Sequence, residues 1–377
     1  MEREDKILNA IALTKVEGLG VQRIKVLIDH FGSADELWAV PLNEISKIGG
    51  QVGEMLSDQT VRSSVFKRAE QEMLFAEKHG ITIHLYGEGG YPVKMMECPD
   101  APIVLYQLGN MSLNNRRMVS MVGTRRATQY GRNMARHIVQ QLAAYDKDIV
   151  IVSGLAYGID IESHKAALDC GLDTVAVLAH GLDRIYPAAH RKYAAEIAEG
   201  RGALVTEFTS LTEPVGFNFL QRNRIVAGMC DATIVVESGV QGGSMSTARI
   251  TGEYNRELFS VPGRLDDKNS AGCNKLISDR KAEIFLSVED FMDKMAWQRA
   301  KEQELPLGTD DVKLTGLQEK IYNMLKNRGQ MQINEIASEI DEPMGEVNAA
   351  LAEMVFDDVI EQMAGDVYDL TTKSKLM

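Results

Sequence analysis

Seven short apolar runs, at 119–122, 149–153, 174–179, 203–206, 232–236, 258–261 and 283–286, alternate with stretches of helical periodicity. The helical stretches fall at 131–144, 158–170, 190–199, 219–229, 244–254 and 271–279. Runs such as IVIVS and ATIVV lack the apolar–polar alternation of a half-exposed strand, so each needs cover on both faces. A strand buried on both faces and followed by a helix returns to its sheet in parallel through that helix. The alternation therefore predicts an α/β fold with a doubly wound, mainly parallel sheet.

This region, residues 76–295, reads as a Rossmann-like domain. Ahead of it, residues 1–75 read as an N-terminal helical domain of helix-hairpin-helix-like pattern. Gly18 and Gly20 separate two apolar-periodic stretches in VEGLGVQRIKVLIDHF, and Gly49, Gly50 and Gly53 repeat the idea in SKIGGQVGEML. Glycine lets such a hairpin turn tightly and lets its N–H groups approach a phosphate. The same glycines also serve as helix C-caps in a plain bundle, and the acids around them (Asp5, Glu17, Asp29, Asp35, Glu36) discourage phosphate. After the sheet region, the polar segment 296–314 with its Pro-Leu-Gly break reads as a linker. Residues 315–377 then read as a winged helix-turn-helix domain, with helices at 316–327, 333–340 and 344–356 and a β-ribbon at 359–370.

Composition limits the partners. The chain has 377 residues and a net charge of −13, which argues against a general coat for nucleic acid while leaving room for a local cationic site. No apolar run is long enough to span a bilayer, and the first residues, MEREDK, lack the layout of a signal peptide. The four cysteines, Cys98, Cys170, Cys230 and Cys273, sit at no metal-ligand or redox spacing. These features predict a reduced, cytoplasmic protein with no membrane partner.

The cationic site emerges from the charge map. Arg116, Arg117, Arg125, Arg126, Arg132 and Arg136 fall between residues 116 and 145, a stretch without one Asp or Glu. Arg125 and Arg126 stand in the first strand-to-helix turn, MVGTRRATQYGR, after Gly123 and before Thr128 and Tyr130. Backbone amides and the helix dipole there are expected to face an anion. Arg116, Arg117 and Arg136 are expected to pair elsewhere or to solvate the surface. The turn is not GxGxxG, and Ser153-Gly154 ends the second run where an acid would hold a ribose, so dinucleotide binding is not expected. A second cluster, NFLQRNRIVAGM, brings Phe219, Arg222, Asn223 and Arg224 together without an acid between Glu213 and Asp231. Arginine forks suit phosphate, and an exposed ring can stack a base. Arg222 and Arg224 are two apart and cannot share a helix face, so one is expected in the site and the other in the fold. A third glycine turn offers Gly242, Gly243 and Ser244 to a phosphate; it carries no Walker lysine.

Nothing in the chain reads as catalytic. Asp160 and His164, four apart on a helix, have metal spacing but no third ligand. No serine sits in GxSxG, and no cofactor motif appears.

The blocks VGTRRATQYG, SGLAYGIDIESHKAAL, VLAHGLDRIYP, RNRIVAGMCDATIVVESG, GGSMSTA, VPG and GCNKLI, in this order, resemble the DprA/Smf family of bacterial DNA-processing proteins. The resemblance implies a non-enzymatic, single-stranded-DNA-binding protein that protects incoming DNA and loads a RecA-type recombinase in natural transformation and recombination. It also implies a homodimer through the Rossmann-like domain. The family's pocket uses the arginine that matches Arg125 and the segment holding Phe219 and the RNR motif. Many relatives carry a lysine shortly before that phenylalanine; here Gly216 stands there, which implies either a weaker pocket or compensation by another cation such as Lys275. The tail departs from a duplex reader. From 311 to 377 six Lys/Arg face thirteen Asp/Glu, and the expected recognition helix carries Glu346 and Glu353, so an interaction or regulatory role is expected. Val347, Leu351 and Val355 are expected in that domain's core. The alternative is a nucleotide-binding protein or a phosphoribohydrolase-type enzyme on the same scaffold; GGSMSTAR lacks the glutamate such an enzyme uses.

Overall fold

The computed structural model describes residues 3–114, 117–297, 314–340, 342–357, 359–363 and 365–371. The chain divides into two compact units, Met1–Arg299 and Ala300–Met377. The segment expected as a linker lies almost wholly outside the described residues, as does Arg116.

The first unit is built on strands β1 (Thr82–Leu85), β2 (Val104–Leu108), β3 (Arg117–Gly123), β4 (Ile149–Ser153), β5 (Thr174–Val177), β6 (Ala203–Thr206), β7 (Ala232–Glu237), β8 (Glu257–Ser260) and β9 (Glu283–Ile284). They form one sheet in the order β1-β2-β6-β5-β4-β3-β7-β8-β9. Every pairing from β6 to β9 is parallel. The antiparallel β2 and β1 extend the sheet beyond β6; they precede the first of the predicted runs and are additions to the expected sheet.

Helices α1 (Arg3–Thr14), α2 (Val21–Phe31), α3 (Ala34–Ala39), α4 (Leu42–Ile45), α5 (Gly50–Ser57) and α6 (Gln59–Lys78) precede the sheet, and α7 (Val93–Met96) lies between β1 and β2. Around the parallel strands stand α8 (Gln129–Tyr145), α9 (Ile159–Cys170), α10 (Arg191–Glu199), α11 (Gly216–Gly228), α12 (Gly243–Glu253), α13 (Ala271–Ser278) and α14 (Val288–Lys294). The unbroken apolar runs have the burial they predict. In β4, Val150 and Val152 enter one core with Val122, Val175 and Val235, while Ile149 and Ile151 enter the other with Val119, Met121 and Ile234. Each such side chain removed from water contributes about 1.5–3 kcal/mol, which makes the sheet centre the rigid part of the unit. The N-terminal helices do not form a separate body. Leu13, Trp38 and Leu56 share a core with Ile83, Val104 and Tyr106 of the antiparallel strands.

The topology locates the site. The chain enters the parallel sheet at β3, winds outward through β4, β5 and β6, then crosses to the other side of β3 for β7, β8 and β9. The strand order reverses between β3 and β7, and open α/β sheets take ligands in the crevice at the carboxyl ends of such a switch point.

The second unit runs α15 (Gly316–Arg328), β10 (Met331–Gln332), α16 (Ile333–Ile340), α17 (Met344–Phe356), β11 (Ile360–Met363) and β12 (Val367–Leu370), with an antiparallel sheet in the order β10-β12-β11. Val347 and Leu351 are in its core with Ile321, Ile336 and Met354. Val355 is not: it is exposed, because the buried stripe of α17 follows Val347, Ala350, Leu351 and Met354 and leaves Val355 at its outer edge.

Candidate functional site

Loops from three strands and the first turns of α11 and α12 enclose a cleft of about 620 Å³ at the switch point. Of the residues singled out in the sequence, Gly123, Arg125, Arg126, Gly154, Phe219, Arg222, Asn223, Gly242, Gly243 and Ser244 line it. The rim is cationic. Arg125 and Arg126 are exposed in the loop between β3 and α8, and neither meets a carboxylate at ion-pair distance among the described residues. The Arg125 guanidinium lies over the Phe219 ring, 4.7 Å from its centroid. A cation on a ring face is held by the ring's quadrupole while keeping its N–H edges free for phosphate.

The loop holding Arg125 is set by backbone contacts below it. The N–H of Ile159, at the start of α9, donates to the Thr124 carbonyl (3.3 Å). Gly158 has φ +80°, and a Cβ there would lie 2.1 Å from the same carbonyl oxygen, so only glycine permits this approach.

The floor holds a buried arginine and a buried aspartate. Arg222 is 4% exposed, and one Nη donates to the Val177 carbonyl at 2.9 Å. Its Nε meets no acceptor among the described residues. The buried Asp160 carboxylate accepts from the N–H groups of Gly154 (3.2 Å) and Ala156 (3.4 Å). Burial pushes the Asp160 carboxyl up, against the opposing pull of Arg222 and those two amides. Burial likewise lowers Arg222, which Asp160 counteracts. At the far wall, Gly242 caps α12 without a side-chain acceptor. The Ser244 hydroxyl is not a capping group; it donates to Ser238 Oγ at 2.8 Å. The Asn223 amide reaches the Gly243 carbonyl at 3.5 Å.

Several expectations change in the folded chain. The N-terminus of α8 is not open to an outside anion, because the buried Glu237 carboxylate at the end of β7 occupies it. Thr128 donates to it through N–H (2.8 Å) and Oγ (2.6 Å), and its hydroxyl accepts from Gly131 N–H (3.1 Å). Thr128 is thus an N-cap bound to an internal acid, and the anion-facing groups are the loop arginines ahead of the helix. Tyr130 lies outside the cleft with its hydroxyl on the Pro262 carbonyl, at 2.9 Å. Ser153 is fully buried, donating to the Met121 carbonyl at 2.6 Å. Lys275, on α13, pairs with Asp279 at 3.2 Å and is not part of the cleft. Arg224 points the other way and is held by Glu207 and the Asp100 carbonyl. Arg117 pairs with Asp146 and Arg136 with Glu162.

Arg224 lines a second, larger cleft of about 980 Å³ beside the hairpin that joins α1 to α2. There Arg224 and Arg249 are bound by Glu207 and Glu253 and Asp100 adds negative charge, while Lys15 and Arg23, which also line that cleft, donate to Thr209 Oγ (2.8 Å) and the Gly18 carbonyl (3.2 Å). Asp160 and His164 do not converge: the His164 Nδ1 pairs with Thr174 Oγ at 2.7 Å, and burial holds the imidazole down to about 3. No group of three metal-ligating side chains occurs among the described residues. No helix among them is long and apolar enough to cross a membrane.

The profile of a family described as DNA recombination-mediator protein A matches residues 82–296. A putative DNA processing protein DprA from Mycobacterium tuberculosis is 34% identical over 303 residues, covering 76% of this chain and 77% of the relative. The crystal structure of DNA processing protein A from Streptococcus pneumoniae superposes with a TM-score of 0.65 at 29% identity, over 78% of this chain and 98% of that one. A Helicobacter pylori DNA processing protein A, whose structure is described as giving insight into its single-stranded-DNA binding mode, is 30% identical over 57% of this chain and 95% of that one, with a TM-score of 0.51.

Proposed function

The chain belongs to the DNA recombination-mediator protein A family, the DprA/Smf proteins, and on that premise we propose that it binds single-stranded DNA in the switch-point cleft. The observation that carries this reading is the Arg125 guanidinium, without a carboxylate partner and laid on the Phe219 ring at the rim. That pair offers the two things a flexible strand presents without regard to sequence, a phosphate and a base face. The bound strand is protected and handed to a RecA-type recombinase during DNA uptake and recombination, by a cytoplasmic homodimer joined through the Rossmann-like domain. No chemical step is assigned to the cleft. The second unit is a winged helix whose acidic surface serves protein contact or regulation; its helix-strand-helix-helix-strand-strand order supports the winged-helix assignment.

Fluorescence anisotropy with labelled oligo-dT and a duplex of equal length, at two salt concentrations, tests the reading. Single strands should bind far more tightly than the duplex, and mononucleotides should fail to displace them. Equal affinity for duplex, or displacement by mononucleotides, would overturn it in favour of a duplex reader or a small-nucleotide site.

A further inference from the structure

The loops that follow β4 and β5 continue the carboxyl edge away from the cleft, because β3, β4, β5 and β6 are hydrogen-bonded neighbours in that order. Adjacent strands lie about 4.8 Å apart, so the loop after β5 begins roughly 10 Å from the one that carries Arg125. Each of these two loops holds a tyrosine in solvent. Tyr157, in the loop whose Gly154 and Ala156 line the cleft, is 49% exposed, its ring standing edge-on to the buried His190 at 4.8 Å. Tyr186, after β5, is 45% exposed, and its ring centroid is 5.9 Å from that of Phe219. Arg125, Phe219 and Tyr186 therefore form a run of touching planar groups from the cationic rim outward. A half-exposed ring forgoes much of the stabilisation that burying it would bring. Two such rings fixed along one sheet edge, beside a site for a polymer of flat bases, have an evident occupant.

We infer that Tyr186 and Tyr157 are base-stacking positions that carry the strand beyond the cleft, along the carboxyl edge toward β6. The inference rests on the reading of the cleft as a single-strand site. It adds that the outer part of the path works through ring faces more than through charge: Arg184, two residues before Tyr186, is already taken by Asp183 and Glu213. Stacking of this kind tolerates any base, since every base has a π-face.

The test compares two oligo-dT probes on the full chain, one of about four nucleotides and one of about sixteen, a span that single-strand sites commonly cover. Tyr186→Ala and Tyr157→Ala should leave the short probe within about twofold of the unsubstituted protein and weaken the long one roughly 5- to 100-fold each. Tyr186→Phe should bind the long probe normally, because the ring and not the hydroxyl stacks. The salt slope should be unchanged in all three, since no phosphate contact is removed. If both alanine variants bind the long probe normally, or if Tyr186→Phe fails as badly as Tyr186→Ala, the inference is overturned while the cleft reading stands. If Arg125→Glu leaves the short probe bound as before, the cleft reading itself fails and the inference falls with it. Because each tyrosine is read separately, unfolding of one variant, seen in its melting curve, leaves the other as the test.

Discussion

Gly154→Ala should unseat Arg222 without touching it in sequence. A Cβ at position 154 would lie 1.4 Å from one Arg222 Nη and 2.2 Å from its Cζ. The guanidinium is 4% exposed and bonded to the Val177 carbonyl. Expelling it forfeits a hydrogen bond from a charged donor, about 1.5–3 kcal/mol. It also removes a buried cation whose field opposes the desolvation of the buried Asp160 carboxylate. For a unit of this size about 1 kcal/mol moves the melting temperature by roughly 2 °C, so a fall of about 3–6 °C is expected. Differential scanning fluorimetry reads that shift, and anisotropy with oligo-dT should show weakened binding. On an Arg222→Met background the same glycine substitution should cost far less, a coupling that a double-mutant cycle isolates. A melting temperature within about 2 °C of the parent, with binding intact, would show that Arg222 moves freely and is not the fixed floor described above.

Other outcomes follow from the same structure. If four to six cations meet phosphate, the log affinity for single strands should fall against log salt with a slope of about −3 to −4, and a slope near zero would remove the electrostatic rim from the account. The acidic second unit should contribute nothing to strand affinity, so deleting residues 300–377 should leave it unchanged within about twofold; a tenfold loss would refute that reading. Burial holds His164 near 3 against 6.5 for a free imidazole, so below pH 6.5 the unfolded chain takes up a proton that the folded chain refuses. The stability this neutral ring provides is whole above that pH and drains as pH falls toward 3, by about 3 kcal/mol near pH 4.5. Melting curves of His164→Gln should accordingly depend less on pH between 6.5 and 4.5 than those of the parent, and equal slopes would contradict the buried neutral imidazole.

The parts of the site that were legible in the sequence are those with local causes. The apolar runs and the helices between them mark the parallel strands to within a few residues, and the carboxylate-free arginine stretch marks the rim. What the sequence hides is set by the crossovers. Glu237 lies 109 residues from the Thr128 it binds, and only the pairing of β3 with β7 brings its carboxylate under α8. A charge map along the chain shows no acid there and so predicts an open helix terminus. Arg222 and Arg224 differ in fate for the same reason. Their spacing shows that they cannot share a face, but which face meets Asp160 and which meets Glu207 depends on elements far away in the chain. Lys275 pairs with Asp279 four residues on, a spacing the sequence does show; what it hides is that α13 lies away from the cleft. Strands β1 and β2 escape notice because only the one-turn helix α7 separates TIHL from VLYQL, so they fall outside the strand–helix alternation that marks the others.

Strand binding in the cleft depends most on the two guanidinium groups at the rim, and affinity together with melting temperature for Arg125→Glu tests them directly. Arg125 is exposed and makes no ion pair among the described residues, so the variant should melt like the parent while losing oligo-dT binding altogether. Binding retained at parental strength, or lost only together with the fold, would contradict a nucleic-acid site at the switch point.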